Sequence, residues 1–390
     1  MELKRLIQQT EAVTHVTIHL KAGALGLENN VRWMHIIEKY NTVEFINAGE
    51  LVLTTGIGNL DETELLQIIE AACRRHASGI LVNTGPYIPE IPDAVTAFCD
   101  AHGFPLYTIA WKVQLAEIMH QFSIFLTEED RKYIETVNAF RNAIFLYEQK
   151  DLYEIYLNRC GFDPKWNYTA AVIRIHTDAS SVDLTLAAEK ASTDLHNSLS
   201  HHFHHTMVFS DTDRIIAVAG NCSTNTLNCF LQELQRYLKI YLPEQVSWTM
   251  GVGKTTKSIR CLYKSYRQAA SVQKLQEKPE ISRGKIFYSE MGIYKLLMNI
   301  EDPEIIEDYL EYTIRPLQDY DSLHEDALVE TLRCYLNNDG SVKKTADQLF
   351  VHRNTVNYRL RKMESLLATS LSSNEGRMQL TVALMLQDIL

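Results

Sequence analysis

Near the end of this chain, Arg353, Asn354, Asn357, Tyr358 and Arg361 have the spacing and chemistry to work together. At about 100° per residue they fall on one polar side of a helix. Guanidinium forks pair with guanine edges and carboxamides with adenine edges in the major groove of duplex DNA. The chemistry implied is base reading rather than bond breaking. A separate seam of the same helix is apolar: Val356, Leu360, Met363 and Leu367. A shorter helix must hold that rod in place. Val342, Ala346 and Leu349 follow at 4,3 spacing and share one buried face. Ser341 is a natural N-cap ahead of them, and small Ala346 admits a close helix crossing. With Phe350-Val351-His352 as the connection, residues 341–363 read as a helix-turn-helix.

Charge agrees with that reading. From Ser341 to Met363 there are six Lys or Arg (Lys343, Lys344, Arg353, Arg359, Arg361, Lys362) and one acid (Asp347), a local balance of +5. The whole chain carries −11, so the remainder carries −16. A basic island on an acidic chain fits a phosphate footprint, because phosphate contacts supply most sequence-independent affinity. Lysines that merely keep a helical hairpin soluble would explain the charge. They would not explain an Arg/Asn/Tyr face beside a regular apolar seam.

Two other motifs invite enzymatic readings. Gly251-Val-Gly-Lys-Thr255 resembles a phosphate-binding loop, but G-x-x-x-x-G-K-[ST] requires its first glycine at position 248, which is Trp248. The glycine that opens the phosphate cradle is therefore missing. His201-His-Phe-His-His205 has helical spacing that could share a metal. No carboxylate or cysteine stands at ligand spacing nearby, so an exposed helix end is the better reading. We expect no catalytic residue, no metal and no cofactor.

Residues 1–112 alternate strand and helix signals. Apolar runs at Glu50–Gly56, Gly79–Gly85 and Pro105–Trp111 are separated by amphipathic stretches. One of these starts near Asp61, where Asp61-x-x-Glu64 has capping-box spacing, and another spans Pro92–His102. Strands joined through helices imply right-handed crossovers and an α/β domain with parallel strands. Ligands of such sheets sit beyond the carboxyl ends of the strands. Here those ends carry Thr54, Thr55, Gly56, Asn83, Thr84, Gly85 and Trp111. Glycines let backbone approach a ligand closely, while hydroxyls and an amide offer uncharged hydrogen bonds. A polar metabolite is the functional reading; the plain one is that Thr-Gly turns the chain after each strand. With no paired carboxylates and no Ser/His/Asp arrangement in this segment, binding is favoured over catalysis.

Residues 113–165 read as a helical linker and candidate dimer contact. Thr127-Glu-Glu-Asp130 looks like a fresh helix start, and Tyr133, Val137, Phe140, Ile144 and Tyr147 form a seam of about two heptads. Such a seam serves either its own domain or a second copy. Residues 166–290 give the order βαββαβ, a ferredoxin- and cyclase-like α+β sheet. Residues 291–390 are helical. The seven cysteines are scattered without a C-x-x-C, as expected of reduced thiols in a cytoplasmic protein. The N-terminus lacks the apolar core of a signal peptide, and no run approaches membrane-spanning length.

The run Leu349-Phe-Val-His-Arg-Asn-Thr355 with Tyr358-Arg-Leu360 resembles the signature of bacterial purine catabolism regulator (PucR-type) transcription factors. Val31-Arg-Trp-Met-His35, Gly49-Glu-Leu-Val-Leu-Thr-Thr-Gly56, Ile91-Pro92 and Phe104-Pro-Leu106 are similar to that family's effector domain. Val252-Gly-Lys254 and Ser265-Tyr-Arg-Gln-Ala269 are similar to its degenerate GGDEF-like domain. The resemblance implies a homodimeric or higher-order regulator, often an activator of a catabolic operon. Its partners would be a double-stranded DNA operator, a small-molecule effector such as a purine-breakdown product or an amino acid, and RNA polymerase. In helix-turn-helix modules of this shape, His352, Arg353, Asn354 and Asn357 would meet bases. Thr355, Tyr358, Arg359 and Lys362 would border phosphates, with Lys343 and Lys344 on the first helix. A working diguanylate cyclase needs Gly-Gly-(Asp/Glu)-Glu-Phe at the central hairpin, where this chain has Ser210-Asp-Thr-Asp213. Without it, metal-assisted phosphoryl transfer loses its geometry, so a structural or dimerising role is expected there. A nucleotide cyclase or NTPase carrying an accessory DNA-binding end is the alternative.

Overall fold

Short apolar runs become strands wherever both of their faces find helices to cover them. A computed structural model describes residues 1–57, 61–177, 183–200, 202–278, 284–300 and 302–389. The chain divides into Met1–Asn138 and Ala139–Leu390.

The first unit contains α1 (Leu3–Thr14), β1 (His19–Ala22), β2 (Trp33–Ile36), β3 (Glu50–Thr54) and α2 (Glu62–Arg74). There follow β4 (Gly79–Thr84), α3 (Asp93–His102), β5 (Leu106–Ala110) and the start of α4 (Leu115–Phe145). Its sheet has the order β1-β5-β4-β3-β2. Neighbours from β2 to β5 run parallel, as expected, while β1 adds an antiparallel edge on β5. Leu51, Leu53, Leu81 and Ile109 face a core with Leu3 and Leu6 of α1 and Ile118 and Phe122 of α4. On the opposite side Val52, Ile80, Val82 and Leu106 meet Ile68 and Ile69 of α2 and Val95 and Cys99 of α3. Asp61 does cap α2, accepting from the Glu64 N–H at 2.8 Å. Glu64 does not close the box: its carboxylate accepts from the Tyr40 N–H instead.

The expected break at Thr127 is absent. With no Gly or Pro to interrupt it, α4 runs 31 residues through Thr127-Glu-Glu-Asp130. Of the heptad seam, Val137, Phe140 and Ile144 are buried in this chain's own packing. Phe140 meets the rings of Phe162 and Tyr168 edge-on. Tyr147 lies past the helix end and stacks on Tyr263 at 3.9 Å.

After the end of α4, the second unit continues with α5 (Glu154–Arg159). A sheet of β6 (Tyr168–His176), β7 (Thr206–Asp211), β8 (Arg214–Gly220) and β9 (Ser247–Val252) comes next, in the order β7-β8-β6-β9. All of its pairings are antiparallel. Helices α6 (Leu184–Ser200) and α7 (Thr224–Tyr241) cover one face, where Ala171, Ile173, Ile215 and Ala217 meet Leu195, Leu199, Phe230 and Leu234. Helix α8 (Leu262–Gln276) comes so close to β9 that a Cβ on Gly251 would overlap the Ala269 carbonyl oxygen. The order is βαββαβ, as the sequence implied.

The chain ends in α9 (Tyr294–Leu297), α10 (Pro303–Thr313), α11 (Arg315–His324), α12 (Leu328–Asn337), α13 (Val342–Gln348), α14 (Arg353–Leu367) and α15 (Asn374–Ile389). They share a core built on Leu317, Leu328, Leu332, Val356, Met363 and Ala383. Asp388 of α15 is 9% exposed and sits at a junction. Its carboxylate accepts from Arg333 at 2.9 Å and from the Tyr294 hydroxyl at 3.2 Å, and its carbonyl accepts from the Lys278 ammonium at 2.6 Å. Among the described residues no helix is long and apolar enough to cross a membrane.

Candidate functional site

Two places gather the residues singled out by their chemistry. At the first, the Ser341 hydroxyl caps α13 by accepting from the Lys344 N–H, and Thr345 and Ala346 are buried beneath it. The chain then reverses through Phe350, whose φ is +55°, and the Val351 N–H donates back to the Ala346 carbonyl at 3.0 Å. That 6→1 bond closes the end of α13 and sets the angle at which α14 departs. His352 caps α14, its ring Nδ1 accepting from the Asn354 N–H at 3.3 Å. Along α14, Val356, Leu360 and Met363 are buried. His352, Arg353, Asn354, Asn357, Tyr358 and Arg361 are all exposed, as are Lys343 and Lys344 on α13. Thr355 and Lys362 are half-buried, and the Lys362 ammonium lies 4.7 Å from the centre of the Tyr320 ring.

Arg359 does not join that open face. Its guanidinium donates to the Thr331 hydroxyl at 3.0 Å and pairs with Asp326 at 2.9 Å, with 19% of the side chain exposed. The reason is positional. Arg359 lies three residues after Val356 and four before Met363, so it flanks the buried seam, away from the polar side. That spacing was present in the sequence and could have flagged it. The expectation that Arg359 borders a phosphate gives way to an internal tie between α14 and the start of α12. Arg359→Ala is expected to cost about 1–3 kcal/mol, because it strands a largely buried carboxylate. Urea denaturation would show this as a lower midpoint with an unchanged slope.

The second place lies at the carboxyl ends of β3, β4 and β5. Thr54 is fully buried and Thr55 half-buried. The Glu38 carboxylate accepts from the Thr55 N–H at 3.1 Å, the Thr55 hydroxyl at 2.7 Å and, more distantly, the Thr54 hydroxyl at 3.4 Å. Gly56 has φ +73°, and a Cβ there would stand 2.6 Å from Ile88. Ile88 in turn accepts the Gly85 N–H through its carbonyl at 2.8 Å, so the loops after β3 and β4 meet on one residue. Gly85 also lies under Trp111, where a Cβ would stand 2.7 Å from the indole Cγ. The Trp111 N–H donates to the Thr84 carbonyl, and its partly exposed ring meets Tyr87 edge-on at 5.5 Å. Asn83 is 3% exposed, and its side-chain oxygen has no hydrogen-bond partner among the described residues. A buried orphan acceptor is uncommon and marks a position where a donor is wanted. Glu38 and Tyr87 were not among the expected residues. Glu38 comes after β2, a strand too exposed to show in the hydrophobic pattern.

Both glycines of Gly251-Val-Gly-Lys-Thr255 lie under α8: a Cβ on Gly253 would overlap the Ser265 carbonyl oxygen and lie 2.5 Å from its hydroxyl. Helix backbone occupies the space in front of both glycines. In the hairpin turn, the Asp213 carboxylate pairs with Arg174 at 2.9 Å. Burial pushes its acid up, but the Arg174 hydrogen bond and charge outweigh that and hold it below the usual carboxylate range. His202, His204 and His205 occupy the turn after α6, with His205 against Trp166; His201 lies outside the described residues.

A buried seam, a closed turn and an open cationic face make residues 341–363 a helix-turn-helix module of the DNA-binding type. Comparison with known families places it further. Residues 7–125 match the purine catabolism regulatory protein-like family, residues 149–275 a GGDEF-like domain and residues 328–386 the PucR C-terminal helix-turn-helix domain. The chain therefore carries a PucR family domain and a PucR C-terminal helix-turn-helix domain on either side of a GGDEF-like domain.

Three proteins of Bacillus subtilis (strain 168) are similar to it. The proline-responsive transcriptional activator PutR is 33% identical over 138 residues, covering 35% of this chain and 34% of that protein. The DNA-binding transcriptional activator AdeR is 31% identical over 149 residues, 38% of this chain and 35% of that protein. The purine catabolism regulatory protein is 28% identical over 166 residues, 41% of this chain and 30% of that protein. The matches thus span about a third of each relative's length.

Proposed function

We propose that this protein is a cytoplasmic, metabolite-responsive regulator that binds double-stranded operator DNA in sequence-specific fashion and activates a catabolic operon. The observation that carries this is the face of α14, where Arg353, Asn354, Asn357 and Arg361 stand exposed on a rod locked by Val356, Leu360 and Met363. Bidentate guanidinium and carboxamide groups are the side chains that distinguish guanine and adenine in the major groove. Lys343 and Lys344 supply phosphate contacts from α13. The protein acts as a homodimer or higher homo-oligomer, and RNA polymerase is the partner that activation requires. Its binding of duplex DNA is tested by titrating the full chain with labelled fragments at several salt concentrations. Affinity that does not fall with salt would overturn the reading, since neutralised phosphates must release counterions.

The effector binds where the loops after β3, β4 and β5 converge. Glu38 and the Asn83 side-chain oxygen are acceptors, so the ligand presents N–H groups. An amino acid's ammonium or a purine or ureide nitrogen fits that demand, with Trp111 and Tyr87 offering an apolar wall. Thr55→Val removes the hydroxyl that orients Glu38. We expect it to weaken effector binding about tenfold, as the loss of a hydrogen bond to a charged group would, and to leave DNA affinity unchanged. Thermal shift against a panel of amino acids and purine-degradation intermediates reads the ligand directly. A variant that responds as the parent does would move the site elsewhere.

A further inference from the structure

Folding does not account for Phe350 in the turn of the helix-turn-helix. It is 95% exposed, so its ring adds almost nothing to the core. Its φ of +55° lies in the left-handed region, which costs a residue with a Cβ roughly tenfold or more in conformational equilibrium and costs glycine nothing. At the residue just past a helix C-terminus, glycine or asparagine is the economical choice. An exposed phenyl group in a strained backbone position is neither. It stands in the turn, two residues before the His352 cap and three before Arg353, so it borders the end of α14 that carries the exposed base-reading side chains. An apolar side chain at the mouth of the major groove has one specific target there, the C5-methyl group of thymine.

We propose that Phe350 is a specificity-determining contact that reads a thymine methyl group at the edge of the site engaged by α14. The inference rests on the DNA-binding reading above and adds a base preference that Arg353, Asn354 and Asn357 do not supply. The backbone strain is retained because the ring is used in the complex, the pattern expected where stability is exchanged for function.

The test starts from duplexes selected by the full-length protein out of a random pool, with each thymine then replaced singly by deoxyuridine, which lacks only the methyl group. The parent protein should lose about fourfold in affinity at one thymine per half-site, the worth of one buried methyl group (~0.8 kcal/mol). Phe350→Gly and Phe350→Asn, both at home in the left-handed region, should melt at a higher temperature than the parent. Both should also bind the thymine and deoxyuridine duplexes equally well. Failure of the parent to select any duplex would sink the DNA-binding reading itself. Selection with no sensitive thymine, or a sensitivity that survives in both variants, would overturn only this proposal. So would a lower melting temperature in both variants, which would give the ring a structural role. Unchanged DNA binding with lost transcription activation would assign the ring to a protein partner instead.

Discussion

Gly253→Ala is expected to unfold the central domain under conditions where the parent is folded. The added Cβ would overlap the Ser265 carbonyl oxygen, which belongs to the backbone of α8 and cannot swing away as a side-chain tip would. Nor can the helix retreat. The Ser265 hydroxyl accepts the Ala170 N–H at 2.9 Å, and the Gly253 N–H donates to the Ala170 carbonyl at 2.9 Å, so β6, the loop after β9 and α8 are tied at one point. We expect a cost on the order of 3–5 kcal/mol, a large part of an ordinary domain's stability. Urea denaturation followed by circular dichroism measures it. Lys254→Ala, at the next residue of the same loop but exposed, should change stability by less than about 0.5 kcal/mol. A Gly253→Ala protein that folds normally but loses ATP or GTP binding would restore the phosphate-loop reading of this segment.

The double substitution Arg353→Ala with Asn357→Ala should abolish sequence preference and leave the fold intact. Both residues are exposed on α14 and neither contributes to its buried seam. Each bidentate base contact is worth roughly 1–3 kcal/mol of discrimination, so the pair should cost about 30-fold or more on the selected operator. Non-specific binding should persist, because the lysines of α13 remain. Lys343→Ala is the contrasting case: it should weaken all duplexes about equally and lower the slope of affinity against salt by about one charge. Fluorescence anisotropy on matched and scrambled duplexes separates the two patterns. Retained preference in the double variant would mean that other side chains read the bases.

Much of this architecture could be read from the sequence because burial leaves a periodic mark. Strands β3, β4 and β5 are covered on both faces and therefore appear as unbroken apolar runs. Val356, Leu360 and Met363 recur with the helical period for the same reason. Parallel strands end on one edge of their sheet, which is why Thr55, Asn83 and Trp111, far apart in the chain, come near one another. Where burial is partial the mark fades. The edge strand His19–Ala22 buries only Ala22, and Trp33–Ile36 buries only Met34, so neither stood out, and Glu38 was lost with the second. Thr127-Glu-Glu-Asp130 has the composition of a helix start, yet local preference there is overruled by packing on both sides of it. Arg359 shows a different blind spot: its residue type suggested phosphate, while its partner Asp326 lies 33 positions away and is invisible to any local pattern.

The Asp388 junction bears on how this protein can be taken apart. The region matched as the PucR helix-turn-helix domain stops at residue 386, short of Asp388, whose carboxylate accepts from Arg333 and Tyr294 and whose main-chain carbonyl accepts from Lys278. A chimera spliced at residue 328 would carry off Arg333 and α14 while leaving Tyr294 and Lys278 with the donor scaffold. Anyone transplanting this helix-turn-helix onto a foreign scaffold should place the suture upstream of Lys278 and keep α15 whole.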